Sequence, residues 1–460
     1  MSAATPSLLK KIQWRIECFV FLAAERLVAL APLAALWRTG ASLSFWAWFV
    51  PSRRRIVRSN LRTVLGPETP SAALNEATRH VFRHATANLL CSLKGARMTN
   101  GEISRAVEIE NREVMDRALE TGKGVIAVLC HMGNWELLAH TPPVHFSTRP
   151  AGSLYRPLNN PFLDRVVTRR RQVKGTALFA KRSSLHGAIA LLREGGILGI
   201  LSDQRAGAHG VMCPLFGRLF SVTPLAALLH RRTGAAVLGF SMRTTAPGKW
   251  VVRIHHPPVG KNNRITPAHV AALLEDIMRR SVPDVFWLTD LWRFSRRSPL
   301  ALDSKQGPLV ITKRRNEPLQ PLRVLIRTPD HPEEARPTLP ALQTLAASRP
   351  DLVLILLGFD TMARFWTTSG IPHEFVPFRG DTPPVDAHFA IVLTADEPAA
   401  RDLPRVFSGP IYALPEVSPS FHSRQWRRAG IRQAHRHKDR WLALLLSLGM
   451  PQPPRIIEYV

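Results

Sequence analysis

The sequence predicts an α/β protein of two units behind a helical N-terminal segment. Strand-length apolar runs alternate with helical stretches from about residue 105 to residue 300. A second, shorter alternation occupies residues 322–460, and a polar, proline-containing stretch at 301–321 separates the two. Such alternation places helices on the faces of a sheet, and the ligand site of such a sheet belongs at the carboxyl ends of its strands.

The N-terminal segment comes first. Residues 16–50 are rich in apolar and aromatic side chains, interrupted by Glu17, Glu25, Arg26 and Arg38. No uninterrupted apolar stretch reaches the length of a bilayer span, and no small-residue cleavage site follows a clean apolar core. Helices lying in a membrane interface, or one imperfect span, are expected, with Trp37, Trp46 and Trp48 suited to the headgroup boundary. Arg53, Arg54, Arg55, Arg58 and Arg62 follow at once and read as a contact for anionic lipid on the cytoplasmic side. Residues 1–65 are therefore expected to form a membrane-associated segment.

Residues 66–300 carry the first α/β unit. Its candidate strands are 124–130, 151–155, 196–201, 235–241 and 250–255; its helices are 113–120, 161–173, 184–194 and 224–233. The 301–321 stretch reads as a linker. Residues 322–460 read as a smaller Rossmann-like α/β domain, with strands at 323–327, 352–357 and 389–393 and helices at 339–348 and 438–448.

Composition narrows the partners. Of 62 Lys+Arg and 34 Asp+Glu, residues 308–460 hold 19 and 15, so the excess positive charge lies in residues 1–307. A basic body of this kind seeks nucleic acid, anionic lipid or an acidic protein. Nucleic acid ranks last, because the arginines are scattered and no helix-turn-helix, zinc or RNA-recognition pattern is present. The four cysteines (Cys18, Cys91, Cys130, Cys213) show no metal spacing and no disulfide framework, which fits a reducing compartment and predicts no metal.

The chemistry gathers around His131. An apolar run, Val125–Cys130, delivers this histidine to its end, and a carboxylate, Glu136, stands at what reads as a helix start. A neutral imidazole takes a proton from a hydroxyl near neutral pH, and a carboxylate on its other nitrogen fixes the tautomer. Further clusters follow: Tyr155-Arg156-Pro157 with Asn159-Asn160-Pro161, then Arg169-Arg170-Arg171; Glu194-Gly195 at a helix end; Ser202-Asp203-Gln204-Arg205 at a strand end; and Pro214-Leu215-Phe216-Gly217 before Thr223-Pro224. An arginine in this setting clamps a phosphate, and the last cluster supplies an apolar wall and a helix N-terminus. Singly, each also reads as a surface arginine, a solvated helix-end glutamate or plain packing.

In combination, His131-Met132-Gly133-Asn134-Trp135-Glu136, Tyr155-Arg156-Pro157 with Asn160-Pro161, Glu194-Gly195, Asp203-Gln204 and Pro214–Gly217 closely resemble the lysophospholipid-acyltransferase superfamily, in particular its lipid A lauroyl/myristoyl acyltransferase branch. The likeness covers roughly residues 10–300 and includes Arg53–Arg62 and the tryptophan pair Trp287 and Trp292. It departs from the family at Thr289, where members often carry histidine, and at Arg205 after the Asp-Gln pair. The resemblance implies that His131 is the general base, that Glu136 supports it, and that Glu194 contacts the histidine. It implies substrate-binding positions at Asn134, Arg156, Asn160, Arg171, Asp203, Gln204 and Phe216. It further implies no cofactor, a fatty acyl group supplied by acyl carrier protein or coenzyme A, a lipid A precursor as acceptor, and a place on the cytoplasmic face of the inner membrane. Another glycolipid or phospholipid acceptor, or a non-catalytic scaffold for lipopolysaccharide assembly, stays open. Residues 322–460 are faintly similar to one half of a heptosyltransferase-type glycosyltransferase, through Leu322–Arg327, Leu339–Leu342, Arg349-Pro350 and Asp439–Leu445. A non-catalytic or partner-binding module is expected there.

Overall fold

A computed structural model describes residues 7–180, 185–258, 264–293, 297–302, 309–394, 401–414, 426–428 and 440–459 of the 460-residue chain. The protein has mixed α/β architecture in two compact units: residues 1–206 with 222–291, and residues 207–221 with 292–460.

The first unit opens with four helices, α1 (Leu8–Ala29), α2 (Leu33–Trp48), α3 (Pro51–Leu65) and α4 (Ser71–Ser92). Leu8, Leu9, Ile12, Ile16, Phe19, Val20 and Leu27 of α1 are all exposed. At 100° per residue they fall in one stripe roughly 120° wide. The opposite side of α1 is tied to the helix Pro161–Gln172: Glu25, 1% exposed, accepts from Arg170, while Asn160 donates to the Trp14 carbonyl and to Glu17. Among the described residues no helix is long and apolar enough to cross a membrane. Only one of the three tryptophans expected at a headgroup boundary is fully available for it. Trp46 is exposed, but Trp37 is buried edge-on to His84, and half-buried Trp48 has the guanidinium groups of Arg54 and Arg79 over its ring.

Behind these helices lies a seven-stranded sheet in the order β1-β9-β8-β2-β5-β3-β4. Its strands are β1 (Val107–Glu110), β2 (Val125–Leu129), β3 (Ala151–Tyr155), β4 (Ala177–Ala180), β5 (Ile197–Leu201), β8 (Ala236–Ala246) and β9 (Lys249–His255). All pairings are parallel except β8 with β9. The central strands β2 and β5 are near-continuous apolar runs, as strands covered on both faces must be.

In the second unit β6 (Val211–Leu215) and β7 (Arg218–Val222) form a hairpin. Phe216 and Gly217 make its turn with φ of 52° and 74°, the paired positive values of a two-residue hairpin loop. The sequence predicts an apolar wall at 214–217 and no strands there. The 301–321 linker also needs correction, because β10 (Val310–Arg314) lies inside it and pairs with β6 and, over its whole length, with β17 (Arg455–Tyr459). Its partners are distant in the chain, so no local signal marked it. A second sheet holds six parallel strands: β11 (Leu322–Arg327), β12 (Leu352–Gly358), β13 (Glu374–Pro377), β14 (Phe389–Val392), β15 (Ile411–Ala413) and β16 (Trp426–Arg428). Their order is β13-β12-β11-β14-β15-β16, over a core that includes Leu325, Ile355, Trp366, Ile391 and Trp441. The helix expected at 438–448 is Arg440–Ser447; residues 438 and 439 lie outside the described residues.

Candidate active site

Strand register builds the site. β2 and β5 are adjacent and parallel, with Leu129 opposite Leu201, and the Ser202 N–H donates to the Leu129 carbonyl at 2.9 Å. The two chains therefore leave the sheet side by side, and His131 meets Asp203. His131 Nδ1 lies 2.8 Å from Asp203 Oδ1 and 3.1 Å from Oδ2, and the His131 backbone N–H donates to Oδ2 at 3.1 Å. Because the carboxylate accepts, Nδ1 carries the hydrogen, and Nε2 is the nitrogen left for a substrate. Burial pushes the imidazole pKa down. The charge and hydrogen bond of Asp203, with Glu136 nearby, outweigh that and hold it above the ordinary histidine value.

Glu136 does not take the position expected of it. Its carboxylate is gripped by Arg171, with Nε to Oε2 at 2.9 Å and a terminal guanidinium nitrogen to Oε1 at 2.6 Å. The helix read at this point is a 3₁₀ turn, Trp135–Ala139, and the residues before it are not helical. Met132 makes an antiparallel bridge to Val285, and Gly133 sits at φ 58°, where a Cβ would come within 2.5 Å of the Met242 carbonyl oxygen. Interrupted there, the chain carries Glu136, five positions after His131, without aiming its carboxylate at the ring. Glu136 acts on His131 through space, and Asp203 is the carboxylate hydrogen-bonded to it.

The remaining positions divide. Arg156, Gln204, Arg171, Glu136 and His131 all line one cavity of about 590 Å³. Its polar mouth also includes Arg205 and Asn159; deeper in, Ala127, Leu129, Ala151, Gly199, Phe240 and Val252 form an apolar lining that reaches Met115 and Phe146. Small residues on neighbouring strands (Ala127, Ala151, Gly152, Gly199) leave the room. A pocket of this size with a few convergent polar groups is typical of small-molecule sites.

Glu194 lies elsewhere. It is exposed and ends the helix Leu185–Arg193 at the amino end of β5, whereas His131 is at the carboxyl end of the parallel β2. A strand of this length separates the two ends by roughly 15–20 Å. Asn160 caps the helix Pro161–Gln172, accepting from Phe162 and Leu163 N–H groups, and both hydrogens of its amide are committed to α1. That makes it a structural clamp. Phe216 belongs to the second unit, where its ring stands edge-on to Trp292, and it does not line the cavity. Asn134 is 1% exposed, and neither side-chain polar atom has a hydrogen-bond partner among the described residues.

A histidine hydrogen-bonded to an acid, lining a cavity on the carboxyl edge of a mainly parallel sheet, places the chain in the α/β class. The family described as bacterial lipid A biosynthesis acyltransferase matches residues 2–294, and the chain belongs to it. The match stops short of β10 and everything after it. Among similar proteins, the lipid A biosynthesis palmitoleoyltransferase of Escherichia coli (strain K12) is 25% identical over 199 residues, 42% of this chain and 62% of that protein. A lipid A biosynthesis acyltransferase of Shigella flexneri matches to the same extent. One from Haemophilus influenzae is 26% identical over 155 residues, 33% of this chain and 48% of that protein. The chain thus spans less than two thirds of the length of these relatives.

Proposed function

We propose that this chain is an acyltransferase that moves a fatty acyl group from a thioester carrier to a hydroxyl of a lipid A precursor at a membrane surface. The observation that carries the proposal is the His131–Asp203 pair at the mouth of the apolar cavity. His131 Nε2 takes the proton of the acceptor hydroxyl as that oxygen attacks the thioester carbonyl. Asp203 steadies the imidazolium that forms. A tetrahedral oxyanion results, facing the cationic mouth to which Arg156 belongs. Its collapse breaks the carbon–sulfur bond, and the leaving thiolate recovers the proton from Nε2. The acyl chain occupies the apolar depth of the cavity throughout. Glu136 and Arg171 set the local field and the shape of the mouth.

The partners follow from charge and surface. The basic residues 1–307 suit an acidic carrier protein and a phosphorylated glycolipid alike. The apolar stripe of α1, with exposed Phe45, Trp46 and Phe49 next to Arg53 and Arg55, suits an anionic leaflet on its cytoplasmic side. The six-stranded sheet of the second unit follows the strand order of a doubly wound, Rossmann-like domain, and it is read as a partner-binding module.

The test is direct. Purified protein is given acyl carrier protein loaded with chains of several lengths, or the matching coenzyme A thioesters, and a lipid A precursor in mixed micelles. Acylated product should appear by mass spectrometry, and His131→Ala should abolish it while the circular dichroism spectrum stays that of the folded parent. Equal transfer by the two proteins overturns the assignment.

A further inference from the structure

A second carboxylate, far from Asp203 in sequence, is built into the support of His131. Asp284 is 3% exposed, and its two oxygens gather donors from three directions. From α4, His84 Nδ1 lies at 2.8 Å and Asn88 Nδ2 at 3.2 Å. From β8, Thr244 gives both its hydroxyl, at 2.6 Å, and its backbone N–H, at 2.8 Å. The hydroxyl of Ser281 adds a fifth contact at 2.8 Å. A carboxylate so saturated stays ionised despite burial, and its pKa is held below the usual range. Nothing in the acyl-transfer chemistry calls for a charge at this position.

Its place in the chain gives the reason. The segment that Asp284 anchors is the one that pairs with the His131 loop. The Gly133 N–H donates to the Asp284 carbonyl at 2.9 Å, and the Phe286 N–H donates to the His131 carbonyl at 2.8 Å. The side chains repeat the link. The Phe286 ring packs on Trp135 at 5.3 Å between centroids, and Trp135 stands edge-on to the His131 imidazole at 5.4 Å. Further on, buried Asn60 of α3 fastens the same segment by donating to the carbonyls of Trp287 and Thr289.

We infer that Asp284 is a positioning residue for the acyl-transfer reaction, fixing residues 284–289 as a strap that holds both the backbone and the ring of His131 in register with Asp203. The strap reaches the ring from one side while Asp203 holds Nδ1. The kinetic part of this inference rests on the acyltransferase reading; the effect on the imidazole does not. Misplacement of a catalytic group by about 1 Å costs on the order of 10²-fold in rate.

The experiment compares Asp284→Asn and Phe286→Ala with the parent in micelles, following kcat, KM for the thioester and the titration of the His131 ring by NMR, its signal identified by loss in His131→Gln. Among the described residues, Asp203, Glu136 and Arg171 are the charged groups acting on that ring, and all three are kept. Both variants should lower kcat at least tenfold with KM for the thioester changed less than threefold. The His131 titration should move to lower pH as its contact with Asp203 loosens. A folded Asp284→Asn with unchanged kcat and unchanged His131 titration overturns the inference. If Asp284→Asn does not fold, Phe286→Ala decides, since its half-buried ring leaves the carboxylate network whole; an unmoved titration there overturns the inference as well. Should the parent show no acyl transfer at all, that sinks the proposed function, and the NMR comparison still judges the strap.

Discussion

His131 Nδ1 and Asp203 Oδ1 lie 2.8 Å apart although 72 residues separate them in the chain. Their meeting is a consequence of two parallel strands leaving a sheet in register, and it makes the pH dependence of the reaction a specific expectation. The base must be neutral to accept a proton, so kcat/KM should rise with pH through the His131 pKa, which lies above about 6.5, the ordinary value. Asp203→Asn removes the charge that raises it and leaves the burial that lowers it. The rising limb should therefore move to lower pH, while the plateau falls by about 10²- to 10⁴-fold. A pH–rate profile whose limb moves upward contradicts the pairing.

Glu136 and Arg171 act on the same imidazole with opposite signs. Glu136 raises its pKa and Arg171 lowers it, while each holds the other in a two-point ion pair. Glu136→Gln should move the His131 titration down, Arg171→Gln should move it up, and the double variant should fall between them. NMR titration of the ring reads all three. Movement of both single variants in the same direction refutes the assignment.

Gly199 should set how much acyl chain the cavity accepts. It lies on the cavity lining, and a Cβ added there would approach Leu129 Cδ1 to 3.2 Å and Ser153 Oγ to 3.6 Å. Gly199→Val fills the space beside it, at a cost of about 1–3 kcal/mol in stability. With a series of acyl carrier thioesters, the preferred chain should become shorter than that of the parent. An unaltered length profile in a folded variant places the acyl chain elsewhere.

The α1 stripe gives a prediction independent of catalysis. Leu9, Ile12, Ile16 and Phe19 are exposed, so replacing all four with serine should leave the circular dichroism spectrum of the protein unchanged. Each such side chain contributes about 1.5–3 kcal/mol when fully buried. Flotation with anionic vesicles should therefore weaken by at least tenfold. Undiminished flotation assigns membrane contact to another surface.

Much of this architecture was legible residue by residue. The strand read at 151–155 is β3 without change, and the helix read at 161–173 ends one residue earlier. Those elements carry their own signals, a short apolar run or a proline-led amphipathic pattern. β10 carries none that is decisive, because its stability comes from β17 and β6. The site divides in the same way. The sequence predicts Asp203 to be a strand-end acid that contacts substrate, and it does not predict the contact with His131, since the pairing of β2 with β5 is not written in either segment.

The sequence by itself determined the ingredients: a strand-borne histidine, a cluster of acids and arginines around it, a basic body and an apolar leading helix. Tertiary structure decided which acid holds the histidine. It gave that role to Asp203, turned Glu136 toward Arg171, left Glu194 at the far end of the sheet, and brought in Asp284, which no motif had marked. The physical reason is that side-chain identity and spacing along the chain specify local conformation, whereas a hydrogen bond of 2.8 Å depends on the register between strands and on the loop that departs from helical geometry at Gly133.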